Sequence, residues 1–106
     1  MKTFGTLISE ARRAKDLSQK DLAAKVKKED GQAISAQYLN DIEHDRRNPP
    51  SEHLIAQIAE LLSISKDGLL LAAGTIPEEL KRIARAQPDK VGEAFKAFRR
   101  TVKEHK

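Results

Sequence analysis

The segment AISAQYLNDIEHDRRNPP, residues 33–50, carries the pattern that decides the fold of this chain. Ser35 is a typical helix N-cap, and Leu39 and Ile42 are spaced as the buried pair of one short helix. The helix cannot continue beyond Asn48, because each of the two following prolines disfavours helical conformation in the residue before it. The segment is therefore predicted to be a short helix that ends in a polar turn.

The periodic segments on both sides of this helix are also predicted to be helical. Apolar residues between positions 4 and 11 share one face of a first helix, and Ser18 is the predicted N-cap of a second. A strongly apolar fourth helix follows at 54–62, and a short fifth helix ends at Gly74. No stretch alternates apolar and polar residues as a strand does. The chain is therefore predicted to be all-α.

The composition limits the kind of protein that the chain can form. It has 106 residues, of which 39% are hydrophobic and 34% charged, and it has no cysteine. These values allow one domain with a modest core, with or without an appendage, and exclude disulfides and zinc–thiolate sites. No apolar run approaches the roughly 18 residues of a membrane span, and the N-terminus has no apolar signal-peptide core. We therefore expect a soluble, cytoplasmic protein.

The positive charge is concentrated at one end of the chain. The net charge is +4, but residues 1–76 hold eleven Lys and Arg against eleven Asp and Glu. Residues 77–106 hold nine basic and five acidic residues, which accounts for the whole excess. A basic surface on the first part of the chain therefore requires its charges to be segregated.

The last thirty residues differ from the rest. One capped helix is predicted to about Ala86, and another is predicted to start at Pro88. The second of these helices carries an apolar stripe with a spacing of 4, 3 and 4 residues: Val91, Phe95, Phe98 and Val102. Such a stripe requires burial, either on the protein's own helices or on the same helix of a second subunit.

Four motifs in a fixed order identify a family resemblance. They are LSQKDLAAKV, ISAQYLNDIE, RRNPPSEHL and IAELLSIS. With them the sequence resembles the Cro/C1-type helix-turn-helix family, also called the XRE family, of bacterial and phage regulators. The resemblance covers residues 4 to about 72. It implies a five-helix, lambda-repressor-like DNA-binding domain in residues 1–74, followed by a C-terminal helical extension in residues 75–106.

The resemblance makes the third helix the reader of double-stranded DNA. A major groove about 12 Å wide admits one helix, which reads base edges with its N-terminal residues. The expected base-contacting residues are Ala36, Gln37, Asn40 and Asp41. Gln37 suits bidentate pairing with adenine, Ala36 suits the thymine methyl group, and Asp41 suits the N4 donor of cytosine. The alternative is that these are solvated polar residues without a DNA role.

Further residues are expected to face phosphates. The family places a phosphate-contacting amide at Gln19, where the N-terminus of the second helix adds a partial positive charge. Ser35, Tyr38, Arg46 and Arg47 are expected on the same surface. For the two arginines the alternative is a solvated loop pair, and for Tyr38 it is a place in the core.

The acids of the segment are expected to have different roles. The resemblance pairs Glu43 with Arg12 as a scaffold ion pair between the third and first helices. Asp45 lies in the turn, where aspartate suits the local backbone. Asp41 is interpreted as a specificity element that repels wrong sites.

The sequence departs from the family in the turn between the second and third helices. Seven residues, 27–33, fill a turn that is usually short. They either lengthen the second helix or form a small loop. Lys27 and Lys28 then either reach a phosphate or belong to a solvated run of charge.

Two functions are compatible with these patterns. The first is a sequence-specific regulator, a repressor that binds a palindromic operator as a homodimer in the cytoplasm of a bacterium or phage host. The second is a protein-interaction module, antitoxin-like or polymerase-associated, in which the C-terminal helix grips a protein partner. The expected dimer interface consists of Leu80, Ile83, Val91, Phe95, Phe98 and Val102.

Enzymatic chemistry is not expected. The three histidines, His44, His53 and His105, show no metal-ligand spacing, and no nucleophile has a base beside it. We therefore expect no catalytic residue, no cofactor, no metal site and no membrane partner.

Overall fold

The described part of this computed structural model, residues 2–104, contains seven α-helices and no strand. In chain order they are α1 (Phe4–Ala14), α2 (Gln19–Lys25), α3 (Ala36–Glu43), α4 (Glu52–Leu62), α5 (Lys66–Ala72), α6 (Glu78–Ala86) and α7 (Pro88–Glu104). The prediction of an all-α chain is confirmed for these residues. His105 and Lys106, at the end of the predicted extension, lie outside the described residues.

The chain divides into two compact units. Unit 1, Met1–Thr75, contains α1 to α5, and unit 2, Ile76–Lys106, contains α6 and α7. The predicted border between the two parts, after Gly74, is one residue away from this division.

Local signals in the sequence set where the helices of unit 1 begin. In each case a hydroxyl oxygen at the N-cap accepts a hydrogen bond from the backbone N–H three residues later, at 3.0–3.4 Å. The five N-caps are Thr3, Ser18, Ser35, Ser51 and Ser65. Each such cap typically stabilises a helix by about 1 kcal/mol, because it satisfies a donor that has no partner within the helix.

Apolar side chains from all five helices form one core in unit 1. Its buried members are Phe4, Ile8, Leu22, Ala23, Val26, Ile34, Leu39, Ile42, Leu54, Ile55, Ile58, Ala59, Leu62, Leu69 and Leu70. Leu39 and Ile42, the pair predicted for α3, are 0% and 2% exposed. The inner side of α3 is therefore fixed by burial, and truncating such a residue to alanine typically costs about 2–5 kcal/mol.

Residues 27–33, between α2 and α3, form a small loop and do not lengthen α2, which ends at Lys25. Val26 and Ile34, just outside the loop, are buried, and the Ile34 N–H donates to the Val26 carbonyl at 3.0 Å. Gly31 has a φ of +87°, a conformation that glycine adopts without steric cost. The loop therefore closes on itself before α3 begins.

Helix α4 fastens the start of this loop. The Gln57 side chain receives a hydrogen bond from the Lys27 N–H at 2.8 Å and donates one to the Lys27 carbonyl at 2.6 Å. The His53 Nε2 atom lies 3.1 Å from the same carbonyl oxygen. The first residue of the loop is thus held against α4.

Unit 2 exposes large apolar side chains. No residue of α6 is buried, and Leu80 and Ile83 on this helix are 44% and 55% exposed. On α7, Phe95 and Phe98 are 53% and 54% exposed. Roughly half the surface of each of these side chains therefore faces solvent.

Candidate functional site

The outer side of α3 presents polar residues at its N-terminal end. Ser35, Ala36 and Gln37 are exposed, whereas Asn40 and Asp41, one turn later, are partly buried. All four predicted base-contacting residues therefore lie on α3, but only Ala36 and Gln37 are exposed. The helix is short, and its buried side leaves this end free to enter a groove.

A buried ion pair joins α3 to α1. The Arg12 Nε atom donates to Glu43 Oε2 at 2.7 Å, and Arg12 Nη2 donates to Glu43 Oε1 at 2.9 Å. The side chains are 10% and 2% exposed. A third guanidinium N–H donates to the Leu17 carbonyl at 2.8 Å, so the cation is satisfied on two sides.

The pair keeps both groups charged. The hydrogen bond with Glu43 raises the pKa of Arg12 above its ordinary value and outweighs the opposing effect of burial. Burial alone would raise the pKa of Glu43, but hydrogen bonds from Arg12 and Gln19 outweigh it and leave that pKa lowered. Arg12 and Glu43 are therefore both ionised at neutral pH and form a bidentate ion pair.

Gln19 lies at the start of α2 but directs its amide group into the protein. Its Nε2 atom donates to Glu43 Oε1 at 2.9 Å and to Asn40 Oδ1 at 3.1 Å. A primary amide has two hydrogens, and both are engaged here. A phosphate contact by this side chain therefore requires one hydrogen to leave its acceptor, and the sequence did not reveal this link to α3.

The C-terminal end of α3 is joined to the start of α1. Asp45 accepts hydrogen bonds from the Thr3 hydroxyl at 2.6 Å and from the Gly5 N–H at 2.9 Å. A Cβ added to Gly5 would lie 2.5 Å from the carbonyl oxygens of Ile42 and Glu43, so only glycine allows this close approach. The sequence assigned Asp45 only a local role in the turn and missed its role as a cap on α1.

Arginine and aromatic side chains lie next to the outer side of α3. Arg46 and Arg47 are exposed, and the Arg47 guanidinium carbon lies 5.3 Å from the centre of the Tyr38 ring. Arg47 Nε also approaches Asp41 Oδ2 at 3.4 Å. These residues line a shallow, open depression that continues to Ser51. The surface combines cationic donors with a helix end, which is suited to binding an anionic backbone.

The described residues contain neither a group of side chains placed to hold a metal ion nor a helix that could span a membrane. Between positions 2 and 104, no three His, Cys, Asp or Glu side chains are placed to hold a metal ion. In the same range, no helix has both the length and the apolar character needed to cross a bilayer.

Comparisons with known proteins identify the family of the chain. A family model described as Helix-turn-helix matches residues 8–69, more than half of the chain. A solved structure described as a SinR protein/SinI protein complex is similar, with 25% identity and a TM-score of 0.54. That similarity covers 97% of this chain and 94% of the other. A search of curated proteins gave no match. The chain belongs to the Cro/C1-type (XRE) helix-turn-helix family and is a DNA-binding regulator of that type.

Proposed function

We propose that the protein is a transcriptional repressor that binds a palindromic operator as a homodimer. The observation that carries the proposal is the arrangement of α3, whose inner side is fixed by a buried core and ion pair. Its outer, N-terminal end presents Ala36 and Gln37 beside the exposed Arg46 and Arg47. A helix with these properties reads bases with its first turn while neighbouring cations hold the phosphates.

The contacts at each position follow from side-chain chemistry. Gln37 pairs with adenine, and Ala36 meets the methyl group of thymine. Ser35, Tyr38 and Arg46 contact phosphates, which position the helix but carry no sequence information. A base contact by Asn40 and a phosphate contact by Gln19 belong to the same proposal and require the present hydrogen bond between these two side chains to be shared or exchanged with DNA.

The domain arrangement follows the same proposal. Residues 1–74 form a five-helix, lambda-repressor-like domain, and the following helices join two copies. One recognition helix reads too few base pairs for selectivity in a genome, so two half-sites are needed. The apolar residues of α6 and α7, which are exposed except for the partly buried Val91, supply an interface: Leu80, Ile83, Val91, Phe95, Phe98 and Val102. Burying one such side chain fully stabilises an assembly by roughly 1.5–3 kcal/mol.

A second candidate function uses the same apolar residues. They support a protein-interaction module, antitoxin-like or polymerase-associated, in which α7 binds another protein. The similar solved structure contains a SinI protein beside the SinR protein, which gives this alternative a precedent. In both functions the protein is not an enzyme, needs no cofactor and acts in the cytoplasm of a bacterium or a phage host.

The deciding experiment is selection of bound duplexes from a random library, followed by affinity titration of the selected and a scrambled duplex. We expect a two-fold symmetric selected site, a preference of at least about a thousandfold over the scrambled duplex, and affinity that falls steeply with salt. Sedimentation of the free protein gives its assembly state. A selected pool without a shared motif would refute the repressor, and a protein that sediments as a monomer on a single half-site would refute the homodimer.

A further inference from the structure

Asp41 occupies an unusual position for an acid on a surface that meets DNA. Both oxygens of its carboxylate face donors of this chain: Oδ1 accepts from Gln37 Nε2 at 3.0 Å, and Oδ2 faces Arg47 Nε at 3.4 Å. Its side chain is only 18% exposed. The carboxylate is therefore already occupied within the protein before any DNA arrives.

The contact fixes the orientation of the Gln37 amide. Gln37 and Asp41 are four residues apart on α3, a spacing that brings side chains together on one helix face. An ionised carboxylate only accepts hydrogen bonds, so the nitrogen of the amide must face Asp41. One amide hydrogen is thereby engaged, and Gln37 has one hydrogen and its Oε1 atom left for a base.

The one donor and one acceptor that Gln37 has left match the edge of adenine and not that of guanine. In the major groove adenine offers the N6 donor and the N7 acceptor, whereas guanine offers two acceptors, O6 and N7. A freely rotating amide can donate both hydrogens to guanine. An amide that has committed one hydrogen to Asp41 cannot, so guanine loses a hydrogen bond and adenine does not.

Arg47 completes the arrangement. Its Nε atom faces Asp41 and its guanidinium carbon lies 5.3 Å from the centre of the Tyr38 ring, so two contacts restrain the side chain. The side chain is nevertheless 57% exposed, so Arg47 stays accessible to a phosphate. The cation also reduces the repulsion between the carboxylate and nearby phosphates.

We infer that Asp41 is a positioning residue for base selection, which holds the Gln37 amide in the orientation that accepts adenine and rejects guanine. It acts through Gln37 and contacts no base itself. The inference rests on the proposed function, because it requires α3 to read a duplex. It replaces the direct contact between Asp41 and cytosine that the sequence alone indicated.

The test is a double-mutant cycle on base preference. Affinities of the wild type, Asp41→Ala, Gln37→Ala and the double variant are measured for the selected site and for every single base-pair change in it. We expect Asp41→Ala to lower the adenine-to-guanine preference about tenfold at one base pair, and Gln37→Ala to act at that same base pair. The double variant should then match Gln37→Ala there, because Asp41 has no amide left to orient.

Two further variants separate orientation from charge. Asp41→Glu retains a carboxylate that accepts from Gln37 and should keep most of the preference. Glu60→Gln removes one negative charge from an exposed position on α4 and should leave the preference unchanged. In the free protein, the order parameter of the Gln37 side-chain amide in nuclear magnetic resonance should fall in Asp41→Ala and stay unchanged in Glu60→Gln.

The outcomes distinguish this inference from the proposed function. A wild type that selects no DNA sequence overturns both. A wild type that selects a site, together with an Asp41→Ala variant that changes preference at a different base pair or at none, overturns the inference alone. If circular dichroism shows that Asp41→Ala is unfolded, Asp41→Asn takes its place, because an asparagine side chain can donate as well as accept and no longer fixes the amide of Gln37.

Discussion

Replacing Glu43 by alanine should cause the largest loss of stability of any single polar substitution in unit 1. The carboxylate is 2% exposed and accepts hydrogen bonds from two nitrogens of Arg12 and from Gln19. Without it the buried Arg12 guanidinium keeps only the Leu17 carbonyl as an acceptor. Removing one partner of a buried pair costs about 3–5 kcal/mol, because the remaining charge loses its compensation.

Thermal and urea unfolding followed by circular dichroism measure the effect. For a domain of this size each kcal/mol shifts Tm by roughly 4–8 °C, so we expect a fall of at least about 12 °C. The matched control is Glu10→Ala, since Glu10 pairs with Lys2 at the same 2.7 Å but both side chains are at least half exposed. That change should cost less than about 1 kcal/mol.

A double variant tests the pairing itself. Replacing Arg12 and Glu43 together by methionine and leucine removes both charges, so the loss should be clearly smaller than the two single losses added. Additive losses, or a Glu43→Ala variant no less stable than Glu10→Ala, would show that the pair does not hold α3 to α1.

The same pair predicts a pH dependence. The pKa of Glu43 is lower in the folded protein than its ordinary value of 4.5, so folding favours the ionised form. The contribution of the ion pair to the free energy of unfolding is then fully present above pH 4.5. It is lost as the pH falls through the lowered pKa of Glu43 in the folded protein. A Glu43→Gln variant should lose less stability than the wild type between pH 5 and pH 2. Equal losses would show that the ionisation of Glu43 does not contribute to this pH dependence.

Three further predictions concern the reading helix, the α1–α3 contact and unit 2. Gln37→Ala should relax selectivity at one base pair at a cost of about 1–3 kcal/mol, whereas Arg46→Ala should weaken all duplexes alike and reduce the salt slope by about one, as salt titrations would show. Gly5→Ala should destabilise the protein in urea, because its Cβ would lie 2.5 Å from two backbone oxygens; Gly92→Ala, with nothing within 4 Å, should not. Truncation after Thr75 should leave a folded, helical monomer in sedimentation, with far weaker operator binding, and a truncated dimer with full affinity would contradict the interface.

The helices of unit 1 could be predicted because their signals are local. Ser18 and Ser35 cap the helices that follow them, and the spacing of Leu39 and Ile42 alone places one side of α3 in the core. The conformation of the seven-residue turn, 27–33, could not be predicted from the sequence, because a longer helix and a loop satisfy the same local pattern. In the loop that forms, Lys27 is bonded to Gln57, which lies thirty residues away, and a local pattern cannot indicate such a contact.

The roles of several site residues could not be predicted, because they depend on distances between remote parts of the chain. Asp45 and Gly5 are separated by forty residues, and nothing in their local sequence indicates a cap or a backbone contact of 2.5 Å. The position of Gln19 at the start of α2 predicts a phosphate contact. Its two hydrogen bonds to α3, however, depend on how α2 packs against α3. A single sequence gives the types of side chain, whereas the fold determines which donor bonds to which acceptor.

Packing also explains how acids and arginines can stand next to one another in residues 41–47. Glu43 is neutralised by Arg12, Asp45 accepts from the start of α1, and Asp41 faces donors on Gln37 and Arg47. Each carboxylate is therefore bound by donors of the protein. The exposed ends of the neighbouring arginines remain directed to solvent, so a unit with no net charge still presents a cationic surface beside α3. This is the segregation of charge that DNA binding requires of residues 1–76, and it is achieved by bonding the acids to donors of the protein, without any excess of basic residues.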